Sequence, residues 1–483
     1  MGAAGHQRRR LNRPSRPGPV IAVLAFAGMG ASFMQTILLP IQAQLPTLLD
    51  ASRGDTAWVI TITLLVGAIF TPIAGKLGDM FGKRRIALVL LALLVAGSVL
   101  AAVTATVGPM IVGRGLQGMG MGVIPLGIAI LRDVLPPKRL GSAIALVSAT
   151  LGVGGALGLP ISAFVTANYN WHLLFWVSAA IGTLSFVLFL LVIPVSTMRT
   201  GGRFDGVGAL GLALGLGGVL LAVSKGNEWG WNSVQTLVPL IGGILVLALW
   251  GWYELRHENP LVDIRVSTRG AVLMTNLASI AMGFALFASS VVFPQLLQLP
   301  EKTGYGLGLS LLQASFVLMP SGLAMLAMSP VAGRLERRFG AKPLLVAGAA
   351  IIASSYLVAV FVDLEIWHVL IINTVIGVGI GLGYAAMPTL IMGAVPAHET
   401  GSANGLNTLM RSLGTSIAAA VVATVLAQST VQYGGSAVPS ADGFQVSLGL
   451  GLAAALVCAV IAVFIPKPKA HPAEHASIPE GTI

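Results

Sequence analysis

The stretch Gly75-Lys-Leu-Gly-Asp-Met-Phe-Gly-Lys-Arg-Arg85 decides how the rest of the chain is read. Its eleven residues hold one acid, Asp79, the glycines Gly75, Gly78 and Gly82, and the cations Lys76, Lys83, Arg84 and Arg85, between two long apolar runs. Glycine lets the backbone turn tightly, and the charges keep that turn in water. Such a turn between runs of spanning length is a hinge at one face of a membrane.

The composition points the same way. Hydrophobic residues make up 55% of the 483 positions and charged residues 9%, against about 45–50% and 25% in soluble domains. The net charge of +11 does not mark a nucleic-acid binder, because Lys and Arg sit in short clusters between apolar runs and form no basic face interleaved with aromatics. Cys458 is the single cysteine, which excludes a disulfide within the chain and a cysteine metal site. His172, His257, His368 and His398 fall near span ends without ligand spacing, so no metal is assigned. The run Gly118-Met-Gly-Met-Gly122 lies inside an apolar stretch with no strand before it, and reads as close helix packing. No G-x-x-x-x-G-K-[ST] motif occurs, which argues against ATP drive, and no nucleophile–base pair marks an enzyme. The expected cofactor is none.

Apolar windows of about 20 residues place fourteen spans, at roughly 20–40, 57–75, 86–105, 108–131, 141–165, 173–194, 206–224, 236–253, 271–298, 310–332, 343–362, 367–393, 404–427 and 444–465. The first follows the arginines at 8–16 and carries no small-x-small cleavage site, so it reads as a retained helix. The N-terminal arm, the loops after even-numbered spans and the tail hold 23 of the 28 Lys and Arg, whereas Arg53, Lys225 and Lys302 fall in the opposite loops. Basic residues stay inside, so both termini are expected in the cytoplasm. The remaining two cations, Arg114 and Arg411, lie within spans.

The opening stretch has a second copy 258 residues on. Thr71-Pro-Ile-Ala-Gly-Lys-Leu-Gly-Asp-Met-Phe-Gly-Lys-Arg84 aligns with Ser329-Pro-Val-Ala-Gly-Arg-Leu-Glu-Arg-Arg-Phe-Gly-Ala-Lys342, with six of fourteen positions identical. Nearly the same offset pairs Gln117–Gly122 with Ile376–Gly381, and Leu135–Ala143 with Val395–Ala403. The chain is therefore expected as an all-α polytopic protein: a basic arm at 1–19, a six-helix bundle at 20–197, two inserted helices within 198–268, a second bundle at 269–466 and a disordered tail at 467–483. Such repeats place substrate near the midplane, with the halves rocking around it.

The opening stretch resembles the G-x-L-a-D-r-x-G-r-[RK] signature of the major facilitator superfamily, with Met80 where that pattern usually has a cation. The helix count and weaker motifs resemble its fourteen-helix drug:proton antiporters of bacterial plasma membranes. The resemblance implies a latch at the cytoplasmic face, made of Gly75, Asp79, Gly82, Lys83, Arg84 and Asp133. Asp79 would meet the start of the fifth helix of the second half, near Gly405, and Lys83 would pair with Asp133. The plainer alternative is that Asp79 merely caps a turn. The second copy carries Arg337 at the acid's place, so a one-sided latch is expected.

Arg114, in Ile111-Val-Gly-Arg-Gly-Leu-Gln-Gly118, resembles the superfamily's helix-4 arginine associated with proton coupling. A buried cation should face a cavity or a partner, unless it snorkels from a helix end. Gln117 shares its face. Leu151-Gly-Val-Gly-Gly-Ala-Leu-Gly-Leu-Pro160 resembles a degraded form of the exporters' helix-5 motif, carried by Gly154, Gly158 and Pro160. Close packing explains the same glycines. The antiporters' helix-1 acid is missing: in Phe33-Met-Gln-Thr-Ile-Leu-Leu-Pro40, Gln35 stands closest to its place. With no acid in mid-span, a substrate cavity formed by Gln35, Arg114, Gln117 and Arg411 should be neutral to positive.

The reading that follows is a secondary transporter that exports amphipathic small molecules by alternating access, driven by protons, with no nucleic-acid or ATP partner. A dedicated exporter or importer of a metabolite, perhaps anionic, is the alternative, and a non-transporting scaffold a more distant one.

Overall fold

A computed structural model describes residues 17–38, 41–42, 44–195, 203–433 and 436–466. Most of the basic arm, residues 196–202 and the tail 467–483 lie outside these residues. In lipid every backbone N–H and C=O has to be satisfied within the protein, so apolar runs of this length fold as helices. Among the described residues there are fourteen helices long and apolar enough to cross a membrane. They are α1 (Pro17–Thr36), α2 (Arg53–Phe81), α3 (Lys83–Val103), α4 (Val107–Val134), α5 (Pro137–Asn168), α6 (Leu173–Val192) and α7 (Gly206–Trp229), followed by α8 (Val234–Glu254), α9 (Gly270–Gln298), α10 (Leu311–Phe339), α11 (Ala341–Phe361), α12 (Ile366–Met392), α13 (Thr400–Gln428) and α14 (Ala441–Phe464). Each hydropathy window falls on one of them.

Three features have no hydropathy signature. α4 tightens into a single 3-10 turn at Gly120–Gly122. One-turn helices occur at Leu45–Leu48 and Ile264–Ser267. The loop after α13 holds an antiparallel ribbon, β1 (Thr430–Tyr433) with β2 (Ser436–Pro439), in the register Thr430↔Pro439.

Each half has its own apolar core. One core is built on α1–α6, around residues such as Phe175, Phe189, Leu24 and Leu94; the other is built on α9–α14, around Phe293, Ile352, Ile376 and Leu448. Polar side chains inside the first half close off the C-terminal end of α1, whose last carbonyls lack helical donors. Met34 O accepts from Arg114 Nη1 at 2.9 Å, and Ile37 O accepts from Ser162 Oγ of α5. Gly154 and Gly158 are where α5 touches α1: a Cβ at the first would press on Met29 O and Ser32, and one at the second on Thr36. α5 runs unbroken through Pro160.

The halves meet along two seams. On one, α5 lies against α10, with Gly152 beside Met325 and Gly333 beside Ser142. On the other, α2 lies against α13, with Gly405 packed on the Thr71–Pro72 backbone. The inserted helices cover this second seam. Leu212, Leu216 and Leu220, a stripe at helical spacing on α7, join Ala68 and Ile73 of α2 and Leu409 of α13 in one cluster.

Lys225 is not in a loop, as its polarity leads the sequence analysis to expect. It lies buried in α7, bound to Glu228 at 2.7 Å, with its ammonium 5.4 Å from the ring of Trp58. An ion pair and an aromatic face let the cation extend the span.

Candidate gate and interior site

Asp79 sits in the last turn of α2 and is buried. Its Oδ1 accepts from the Gly401 N–H at 3.1 Å and its Oδ2 from the Ser402 N–H at 2.8 Å. Both donors belong to the first turn of α13, whose free N–H groups and dipole favour an anion. The contact falls one turn before Gly405, where the sequence analysis places it. Lys83 Nζ lies 2.9 and 2.8 Å from the two oxygens of Asp133 and 4.0 Å from Asp79. Lys83 thus joins the end of α4 to the acid that reaches across the seam.

Gly82 takes φ +102°, and its repeat counterpart Gly340 takes φ +87°. Both turns use a left-handed conformation that a side chain resists. A Cβ on Gly75 would collide with the carbonyl of Gly401. Gly75→Val is accordingly expected to hold the seam apart and reduce transport severalfold at unchanged membrane abundance, read by efflux alongside immunoblotting. Arg84 points away from this cluster: its Nη2 donates to Leu190 O at 2.6 Å, at the C-terminal end of α6.

Two charged residues at the seams carry no motif. Arg132 donates from Nη1 to Thr400 Oγ1 at 3.0 Å and from Nη2 to Val395 O at 3.4 Å, so α4 also grips the start of α13. Glu336, in α10, faces the start of α5. A Cβ built on Gly141 would lie 2.7 Å from Glu336 Oε2, and one built on Gly401 would lie 2.7 Å from Asp79 Oδ1. Gly141 and Gly401 are counterparts in the repeat, so each half sends a carboxylate to the same turn of the other. The acid of the second copy is present, displaced by one residue from the position that Arg337 fills. Asp79 accepts two N–H bonds there, whereas Glu336 Oε2 has no hydrogen-bond partner among the described residues. The signal for Glu336 was visible only as an acid one place out of alignment.

The four interior residues divide into separate sites. Arg114 is buried in the first half, where Nε donates to Val59 O at 3.2 Å and Nη1 to Met34 O and to Gln117 Oε1 at 2.7 Å. Gln117 in turn donates to Ser98 Oγ at 2.8 Å. These acceptors tie α1, α2, α3 and α4 together. Gln35 points to α4 one turn further on, with Nε2 2.9 Å from Met121 Sδ.

Arg411 belongs to the second half. Its guanidinium lies 4.6 Å from the ring of Tyr384, its Nη2 donates to Thr408 Oγ1 at 3.2 Å, and its Nη1 is buried with no partner among the described residues. One turn before it, Asn407 donates to Asn276 Oδ1 at 3.0 Å and Ser279 Oγ at 2.8 Å. Met325 of α10 and Met387 of α12 are buried.

Two six-helix halves that pack along two seams and are bonded by polar groups at one face have the architecture of a multi-pass membrane transporter. The description Major Facilitator Superfamily matches residues 24–419 and again 275–481, and the chain belongs to that superfamily. The lincomycin resistance protein LmrB of Listeria monocytogenes is 26% identical over 94% of this chain and 98% of its own. The multidrug resistance protein B homolog of Mycobacterium tuberculosis is 30% identical over 78% of this chain and 70% of its own, and the multidrug resistance protein Stp of that organism 26% over 84% and 76%. Among solved structures, the human organic anion transporter MFSD10 superposes with a TM-score of 0.65 at 14% identity, covering 92% of this chain and all of that one. The proton:xylose symporter XylE does so with 0.63 at 15%, covering 94% and 96%. These two share the fold.

Proposed function

We propose that the chain exports amphipathic small molecules across a bacterial plasma membrane, with both termini in the cytoplasm and proton entry as the energy source. The observation that carries this reading is the bond between Asp79 and the Gly401–Ser402 turn. It joins the two halves through two hydrogen bonds at one face, as a gate that opens and closes requires. Relatives named for drug resistance, one of them matched over nearly its full length, support efflux over uptake.

In this mechanism Lys83, bridged to Asp133, holds Asp79 in place, and Arg132 adds a second grip on Thr400. Substrate enters from the cytoplasm while these bonds are open. It binds between the halves near Gln35 and Arg411, and leaves on the opposite face once the bonds form. Arg114 and Gln117 keep the first half rigid beside that site. No bound cofactor takes part.

Inverted vesicles with an acidic lumen and an internal pH probe test the proposal. Uptake of an amphipathic dye accompanied by loss of lumenal acidity is the expected result. A vesicle preparation that moves neither dye nor protons overturns it.

A further inference from the structure

Among the described residues two arginines are buried, Arg114 and Arg411, and the sequence places no acid in mid-span to neutralise either. The two are not equivalent. Arg114 has acceptors at Nε and twice at Nη1, all of them protein atoms. Arg411 has one side-chain acceptor, Thr408, and a buried Nη1 with none.

A buried cation with one neutral acceptor and a guanidinium nitrogen left unbonded is costly, and a neutral side chain of similar size would pack at that place more favourably. Its presence calls for an anion that arrives from elsewhere. The geometry suits one. The guanidinium carbon lies over the Tyr384 ring at 4.6 Å, which holds the group in place, and a guanidinium offers N–H groups to the two oxygens of a carboxylate or sulfonate. The place suits one as well. By the repeat, Arg411 corresponds to Leu151 of α5, and Leu151 packs against the cores of both halves, so this level of the helix faces the seam between them.

We propose that Arg411, stacked on Tyr384, is the binding point for an anionic head group of the transported molecule, so that the substrates are amphipathic anions. The assignment rests on the efflux reading for its physiological meaning, but binding tests it separately.

The full chain in nanodiscs is titrated with phenylbutyrate, phenylbutyramide and phenylbutyltrimethylammonium, which share one apolar body and differ in head charge. The carboxylate is expected to bind about tenfold or more tightly than the amide, and the cation most weakly. Arg411→Gln is expected to remove that preference and keep the affinity for the amide. Arg411→Met without ligand is expected to melt no lower than the wild type, because the charge it removes has no partner for Nη1. A residue whose role is only structural would lower the melting point instead.

Equal binding of the three probes, a preference for the cation, or a carboxylate preference that survives in Arg411→Gln overturns the assignment. Failure of both neutral variants to fold also overturns it. A wild type that prefers the carboxylate yet moves none of the probes across liposomes supports the assignment and overturns the efflux reading. Transport of all three with no preference does the reverse.

Discussion

Asp79→Asn is expected to cut efflux at least tenfold while leaving the amount of protein in the membrane unchanged. Asp79 accepts two backbone N–H bonds from the first turn of α13. An asparagine offers one carbonyl oxygen in place of two carboxylate oxygens and turns an NH2 group toward the second donor. It also removes the charge that favours the helix N-terminus. Losing one charge-assisted bond costs about 2 kcal/mol, which is roughly thirtyfold in the balance between latched and open forms. Each half keeps its own apolar core, so folding is spared. Efflux from vesicles, normalised to protein by immunoblot, reads the result; normal efflux in the variant rules out the latch.

The second large effect concerns stability. Arg114→Met is expected to destabilise the protein by about 3 kcal/mol and to lower both its abundance and its melting point in detergent. The substitution leaves Met34 O at the end of α1, and Gln117 Oε1, without their donor. Arg114→Lys should recover little, because a single ammonium cannot reach acceptors on α1, α2 and α4 in one geometry. No such loss is expected for Arg411→Met, though both substitutions remove a buried positive charge. The difference is set by the number of protein acceptors each guanidinium has. Thermal melts of the two variants side by side decide it, and equal melting points would show that the count of acceptors does not govern stability here.

Which parts of this were legible in the sequence follows from the range of the forces involved. The spans were readable because burial in lipid acts on every residue of a 20-residue window, and all fourteen windows lie on helices. The pairing of Lys83 with Asp133 was accessible through resemblance, since both belong to recurrent positions. Arg132 with Thr400, 268 residues apart, had no such pattern to reveal it. The partners of Arg114 are mainly backbone carbonyls, Val59 O and Met34 O. Every residue has a carbonyl, so composition does not show which one an arginine will find. Lys225 was misplaced for a related reason: hydropathy counts an ammonium as polar whether or not Glu228 and Trp58 surround it.

The inserted pair of helices makes the two seams unequal. α7 lies along the α2–α13 seam, where Asn227 donates to Ala420 O and accepts from Thr424, and its leucine stripe fills the groove between the halves. The α5 and α10 helices of the other seam present Phe164, Phe316 and Leu323 outward. One flank of the transporter is therefore walled off from the bilayer by its own chain, and the other borders it directly. A molecule dissolved in the inner leaflet would therefore meet a bare seam along α5 and α10, where Gly152, Gly322 and Gly333 hold the two helices close.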